Sequence, residues 1–423
     1  MSRRRELAIW VAVAGAALLL LLGILMWQYN TMQRRWAIAM APRPAEGGAV
    51  FVNKGCANCH GNAGSGGKLG PRLRDRAALA SLPQLVTAMW NHAPRMYEAM
   101  QAQKLPYPTL SYDETGQLVA FLYMTGYADE PGDPERGRLL FESKQCVRCH
   151  SNDGSKREGP DVARLALDDG PISWTQALWN HASAMQESMR RMGIAWPHFQ
   201  ANELRDLFAY VRRQGGRSDV DFSVPAADPD RGWKVFQAKS CLSCHALNRG
   251  QSPSAMDPSS PRQAAVRPVG PVLGADGKLP PTFSQFGEAM LNHFPDMRKA
   301  ISSEGKQPPT FQKQEMADLA VFLYSLHFRE PSGSPHVGAS IFTWRGCADC
   351  HGAQAEGTSR GRRLRGLGRT YTATRLATDL WRHGAKMYEQ SRKSGRPWPS
   401  LQESDVGDLL SFLNTPVERS SGQ

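Results

Sequence analysis

After an apolar opening, the chain settles into a helical rhythm that is stated four times. From Leu7 to Trp27 most positions are apolar, and Arg3, Arg4 and Arg5 precede them. A run of this length spans a bilayer as one helix with the arginines on the cytoplasmic side, and it outruns the short apolar core of a secretory signal. Ala37-Ile38-Ala39 and Ala39-Met40-Ala41 supply small-residue cleavage sites, so removal of the segment on export is the alternative. Further on, apolar residues recur at i, i+3 and i+4 in Leu118/Phe121/Leu122, Leu207/Tyr210/Val211, Leu319/Phe322/Leu323 and Leu409/Phe412/Leu413. That spacing marks one buried helix face. An acid stands four positions before each first leucine (Glu114, Glu203, Glu315, Asp405), where a helix N-terminus favours negative charge, and a proline lies upstream (Pro108, Pro197, Pro309, Pro399). Earlier in each repeat come Gly47/Phe51, Gly137/Phe141, Gly232/Phe236 and Gly338/Phe342. Four apart, the two share a helix face, the glycine admitting another backbone and the ring filling the core beside it. The pattern predicts an all-α protein.

Between the two signatures stands Cys-x-x-Cys-His, at Cys56/Cys59/His60, Cys146/Cys149/His150, Cys241/Cys244/His245 and Cys347/Cys350/His351, which uses all eight cysteines. Two thiols at this spacing can add to the two vinyl groups of a haem, and the following imidazole can bind its iron. Zinc and redox dithiols also use Cys-x-x-Cys. Here each pair brings its own histidine and lies about 90 to 105 residues from the next, roughly one small domain, rather than closing on another pair. The expectation is four covalent haems c in four tandem domains, at 45–128, 132–217, 228–329 and 334–416, behind an anchor at 1–30. Domains this small bury little surface of their own, so the haem completes each core. Joints at Asp129 to Pro134, Ser218 to Pro229 and Arg329 to Pro335 are short and rich in Pro, Gly and Asp.

A third segment recurs in mid-repeat: Trp90-Asn91-His92-Ala93-Pro94-Arg95-Met96, Trp179-Asn180-His181-Ala182-Ser183-Ala184-Met185, Leu291-Asn292-His293-Phe294-Pro295-Asp296-Met297 and Trp381-Arg382-His383-Gly384-Ala385-Lys386-Met387. The order of Gly-Phe helix, Cys-x-x-Cys-His, Gly-Pro turn, helix, Met and closing helix resembles class I cytochrome c over about 45–416. The resemblance implies that a helix ending in Asn-Gly-x-x-x-Met presents a methionine sulfur to iron, with His92, His181, His293 and His383 at the usual glycine. Met96, Met185, Met297 and Met387 are then the distal ligands. It also implies that the carbonyls of Pro71, Pro160 and Pro271 orient the proximal imidazoles. Pro271 matches after a Pro/Ser-rich insertion, Ala246 to Val269. Repeat four departs from the family, with Arg362 at the proline and Arg382 at the asparagine.

The residues themselves leave three readings open: methionine ligation, bis-histidine ligation by His92, His181, His293 and His383, or neither. The tryptophans read as haem-packing aromatics, and Met100 and Met189 as core filler. A formal charge of +12 is offset in part by haem propionates and shows no single basic block, so nucleic acid is not an expected partner. The expectation is a carrier anchored in a bacterial cytoplasmic membrane, haem domains in the periplasm, with redox-protein partners: a quinol-oxidising complex, a terminal oxidase, a reaction centre or a soluble cytochrome. Methionine ligation raises potentials and favours a high-potential acceptor. The alternatives are a haem enzyme, peroxidase or sulfur-compound dehydrogenase, with one open-faced haem in repeat four, or a subunit of a larger respiratory complex.

Overall fold

A computed structural model describes residues 15, 20–23, 43–74, 80–165, 170–216, 224–247, 270–274 and 278–416. The chain divides into two compact units, Met1–Ala39 and Met40–Gln423. In the first, residues 15 and 20–23 are helical, with Leu20, Leu21 and Leu22 exposed. The rest of the expected anchor lies outside the described residues. Among the described residues no helix is long and apolar enough to cross a membrane.

Among the described residues of the second unit every regular element is a helix. Each repeat has a lead helix (Glu46–Asn53, Pro134–Ser143, Pro229–Ala238, Pro335–Trp344), a cysteine-histidine turn, a long helix and a closing helix (Tyr112–Thr125, Glu203–Gln214, Glu315–Ser325, Glu403–Asn414). The long helices, Leu82–Ala102, Pro171–Arg191, Phe283–Ser303 and Ala373–Lys393, are each 21 residues long. The acids expected at the closing helices fold back on the preceding turn: Glu114, Glu203, Glu315 and Asp405 accept from the backbone N–H of Ser111, Gln200, Gln312 and Gln402 at 2.8–2.9 Å. They satisfy donors that a helix start leaves orphaned.

Lead and closing helices cross at the glycine. A Cβ on Gly47, Gly137, Gly232 or Gly338 would collide with the carbonyl oxygen of Gln117, Asp206, Asp318 or Asp408. The phenylalanine one turn on packs against the closing helix, with ring centroids 5.8, 5.5, 5.6 and 5.3 Å apart for Phe51–Phe121, Phe141–Tyr210, Phe236–Phe322 and Phe342–Phe412. Burying each ring contributes about 1.5–3 kcal/mol.

The repeats do not pack in sequence order. The long helix of repeat one lies against that of repeat four, and the long helix of repeat two against that of repeat three. Repeats one and three meet separately at the end of the first closing helix. There Tyr123 Oη donates to the Tyr324 carbonyl at 2.9 Å, Phe283 N–H to the Tyr127 carbonyl at 3.0 Å, and Ser284 N–H to Asp129 Oδ2 at 3.0 Å. The described contacts therefore string the repeats as four, one, three, two.

Candidate functional site

Each cysteine-histidine turn is entered through one residue in the left-handed region: Gly55 (φ 81°), Gln145 (φ 63°), Ser240 (φ 57°) and Gly346 (φ 76°). This step lets the chain leave the lead helix and wind at once into the next turn, at some cost where the residue has a Cβ. The thiols are unpaired, and burial pushes those of Cys56, Cys146 and Cys347 up to about 11 and that of Cys241 up to about 12. Redox and metal-binding cysteines carry depressed values, so these are not poised thiolates. Among the described residues no group of three or more Cys, His, Asp or Glu converges to hold a metal ion.

The proximal imidazoles are fixed from behind. His60, His150 and His245 place Nδ1 2.9 Å from the carbonyls of Pro71, Pro160 and Pro271, and His351 places it 2.8 Å from that of Arg362. The missing proline in repeat four leaves the hydrogen bond in place, because any residue there has a carbonyl. With Nδ1 engaged behind, Nε2 faces the crevice.

Crevices of about 360, 270 and 670 Å³ open beside the turns of repeats one, two and four. The first is lined by Cys56, His60, Phe51, Leu85, Leu118 and Leu122, and also by both His92 and Met96. The second holds Cys146, Cys149, His150, His181, Met185 and Met189, and the fourth Cys347, Cys350, His351, His383 and Met387.

The carbonyl of the second cysteine is held alike in three repeats: those of Cys59, Cys149 and Cys244 accept from the N–H of Gly70, Gly159 and Gly270 at 3.0, 2.8 and 2.9 Å.

An imidazole anchored from behind, apolar walls and at least one thiol on each measured crevice fit a covalently held haem. The long helix does not end at the methionine, as the resemblance implied. Each methionine lies inside the long helix, one turn after its histidine.

His92, His181 and His293 lie close to the histidines of the motif. Ring centroids are 6.3 Å apart for His60–His92, 6.4 Å for His150–His181 and 6.1 Å for His245–His293. Burial, then the facing imidazole, lowers the pKa of His92 and His181. In repeat four burial again lowers that of His383, with Arg362 the next cause.

The tryptophans do something other than pack on their own repeat's haem site. Trp90 lines the crevice of repeat four, and Trp381 that of repeat one. Their indoles donate across the interface, Trp90 to the Pro399 carbonyl at 2.5 Å, Trp381 to Pro108 at 2.8 Å and Trp179 to Pro309 at 2.8 Å. Asn91 brackets Leu401, accepting from its N–H and donating to its carbonyl at 2.8 Å each. Asn180 does the same to Phe311, and Asn292 to Phe199, at 2.6–2.8 Å. Arg382, in place of an asparagine, donates to the Leu110 carbonyl at 2.6 Å. Pro108, Pro309 and Pro399, read as helix-start signals, thus also present acceptors to the partner repeat.

Sequence reasoning missed a basic residue two positions before each first cysteine. Lys54, Lys144 and Lys239 donate to the carbonyls of Thr109, His198 and Thr310 and pair with Glu114, Glu203 and Glu315 at 2.8–2.9 Å; Arg345 pairs with Asp405 at 2.8 Å. Aligning the repeats on their cysteines displays this residue, which ties the haem turn to the closing helix.

Residues 42–122 match the family described as cytochrome c oxidase, cbb3-type, subunit III, and residues 229–327 and 336–416 match the cytochrome c family. The chain is a c-type cytochrome. These matches fall on repeats one, three and four, and cytochrome c domains imply covalently bound haem c. No curated protein and no solved structure matches this cytochrome. Haem-based electron transfer is its chemistry.

Proposed function

We propose that this cytochrome carries four covalent haems and relays electrons between redox proteins. One haem is held on each pair, Cys56/Cys59, Cys146/Cys149, Cys241/Cys244 and Cys347/Cys350, with His60, His150, His245 and His351 as proximal ligands. The carrying observation is the fourfold recurrence of one arrangement: a thiol pair, and an imidazole whose Nδ1 is held at 2.8–2.9 Å by a backbone carbonyl. Repeat two, which no family matched, has it too. Each bound haem supplies an iron that gains or loses one electron. The chain supplies fixed ligands, dry walls and packed interfaces that hold the four sites in one unit.

The apolar run from Leu7 to Trp27 supports anchoring in a bacterial cytoplasmic membrane with the haem domains, 45–128, 132–217, 228–329 and 334–416, on the periplasmic side, where haem attachment takes place. The partial likeness to an oxidase subunit supports a respiratory oxidase setting, with a quinol-oxidising complex or soluble cytochrome on the donor side. Potentiometric titration of the full chain tests the carrier reading: reversible uptake of four electrons per chain without turnover of peroxide or thiosulfate is expected. Steady consumption of either compound would replace it with the enzyme reading. That second reading attaches to repeat four, whose crevice, at about 670 Å³, is the largest of the three measured.

A further inference from the structure

We infer that His92, His181 and His293 are the distal iron ligands of repeats one to three, so that these sites are bis-histidine although the chain is otherwise built like a methionine-ligated cytochrome. The inference rests on covalent haem at the cysteine pairs. An imidazole nitrogen binds a metal ion at about 2.0–2.1 Å, so two imidazoles on opposite sides of one ion have their nitrogens about 4 Å apart. Half a ring on each side brings the centroids to about 6 Å. The observed separations, 6.3, 6.4 and 6.1 Å, meet that requirement in three repeats of different sequence. A haem attached to the adjacent thiols and bound by His60 has its plane between the two rings, and a distal ring this close to the proximal one belongs on the iron's axis.

The neighbours of the distal histidine hold it there. Asn91 is clamped to Leu401, Asn180 to Phe311 and Asn292 to Phe199 by paired backbone hydrogen bonds, which fix the rotation of the long helix at the residue before each histidine. The histidine is thereby presented by contacts with another repeat. Met96 and Met185 lie one turn further along and line the same crevices, so they are the competing ligands. In repeat four the clamp is an arginine, Arg382, bonded only to a carbonyl, and the inference does not extend to it.

Bis-histidine sites lack the sulfur-to-iron charge-transfer band of methionine ligation and hold lower potentials. Near-infrared magnetic circular dichroism of the ferric full-length protein should therefore show a sulfur-ligand band from at most one haem of four. In paramagnetic resonance, His92→Gly should convert one low-spin haem in four to high-spin, and added imidazole should restore it, whereas Met96→Leu should leave all haems low-spin. A sulfur band from three or four haems, which needs no variant to detect, overturns the inference. So does high-spin haem in Met96→Leu with His92→Gly unchanged. Intact mass of each variant counts haems separately, so loss of haem attachment, which would strike the proposed function itself, is not confused with a change of ligand.

Discussion

The pair of repeats one and four and the pair of repeats two and three are built on the same long-helix contact but weight its fastenings differently. Both interfaces are aromatic, with Trp179 and Trp196 of repeat two on Phe294 of repeat three at 5.1 and 5.4 Å, but pair one–four has the more crowded set. Trp90 lies 4.1 Å from Trp398, Tyr107 stacks on Trp381 at 4.6 Å, and at the rim Tyr97 donates to Glu389 at 2.7 Å and Tyr112 to Asp379 at 2.9 Å. Pair two–three has Leu291 where the others have tryptophan, and relies on two full asparagine clamps and a buried acid, Glu288, that accepts from Leu204 N–H at 2.9 Å. Proline sets which repeats are complementary. Pro94 and Pro295 lack an N–H, which leaves the carbonyls of Trp90 and Leu291 free within the helix. Trp398 and Trp196 of the partner repeats donate to these two carbonyls at 3.2 and 2.9 Å. Repeats two and four carry Ser183 and Ala385 at that helix position, and their partner repeats have Pro308 and Tyr107 in place of the indole. A repeat with the proline fits one with the tryptophan, and Tyr112, beneath Arg375 and Arg382 at 4.3 and 4.8 Å, adds a match between one and four.

The largest expected effect separates the pairs by their indoles. Trp90→Ala removes a buried side chain that lines the repeat-four crevice and should destabilise pair one–four by about 3–5 kcal/mol. Urea unfolding followed at the haem bands should show one early transition, with the repeat-four spectrum disturbed although the substitution is in repeat one. Next comes the amide clamp. Asn180→Ala and Asn292→Ala each leave backbone groups unpaired at about 1–3 kcal/mol per site. Hydrogen exchange should quicken at the Phe311 and Phe199 amides and stay slow at Leu401; equal loosening of both pairs would erase the contrast.

A smaller effect depends on pH. Burial, with Glu203 and Asp129 nearby, raises Glu288 from 4.5 to about 7, so the folded pair prefers the protonated acid. Its contribution is fully present below about pH 4.5 and declines as pH rises through about 7. Thermal unfolding of the wild type relative to Glu288→Gln, which keeps the acceptor for Leu204, should worsen across that window and then level off. A difference independent of pH contradicts the assignment. Smallest is Lys54→Met. Its ion pair with Glu114 is partly exposed, at 24% and 32%, so its loss should cost about 0.2–1 kcal/mol, measurable as a slight fall in the unfolding midpoint.

Much of each repeat was legible in the sequence because it is local. The Gly-Phe spacing foretold the close helix crossing, the i, i+3, i+4 positions foretold the closing helices, and the resemblance foretold carbonyls behind the proximal imidazoles. The meaning of Trp90 and Asn91 was hidden, since a residue on a helix face can serve its own crevice or another repeat's, and periodicity treats both alike. The prolines at 94 and 295 were equally visible, yet what they do depends on a carbonyl left open for a tryptophan about 300 residues away in one case and about 100 in the other. The choice between His92 and Met96 was undecidable from spacing, because four apart on a helix they point the same way.

The number of covalent haems is the quantity on which everything else depends. Intact mass of the denatured full chain, matured with a complete haem-attachment system, should equal the polypeptide plus four haems, and each Cys-pair→Ala variant should lose one. A fully matured chain with fewer than four, or a variant that loses none, would contradict it.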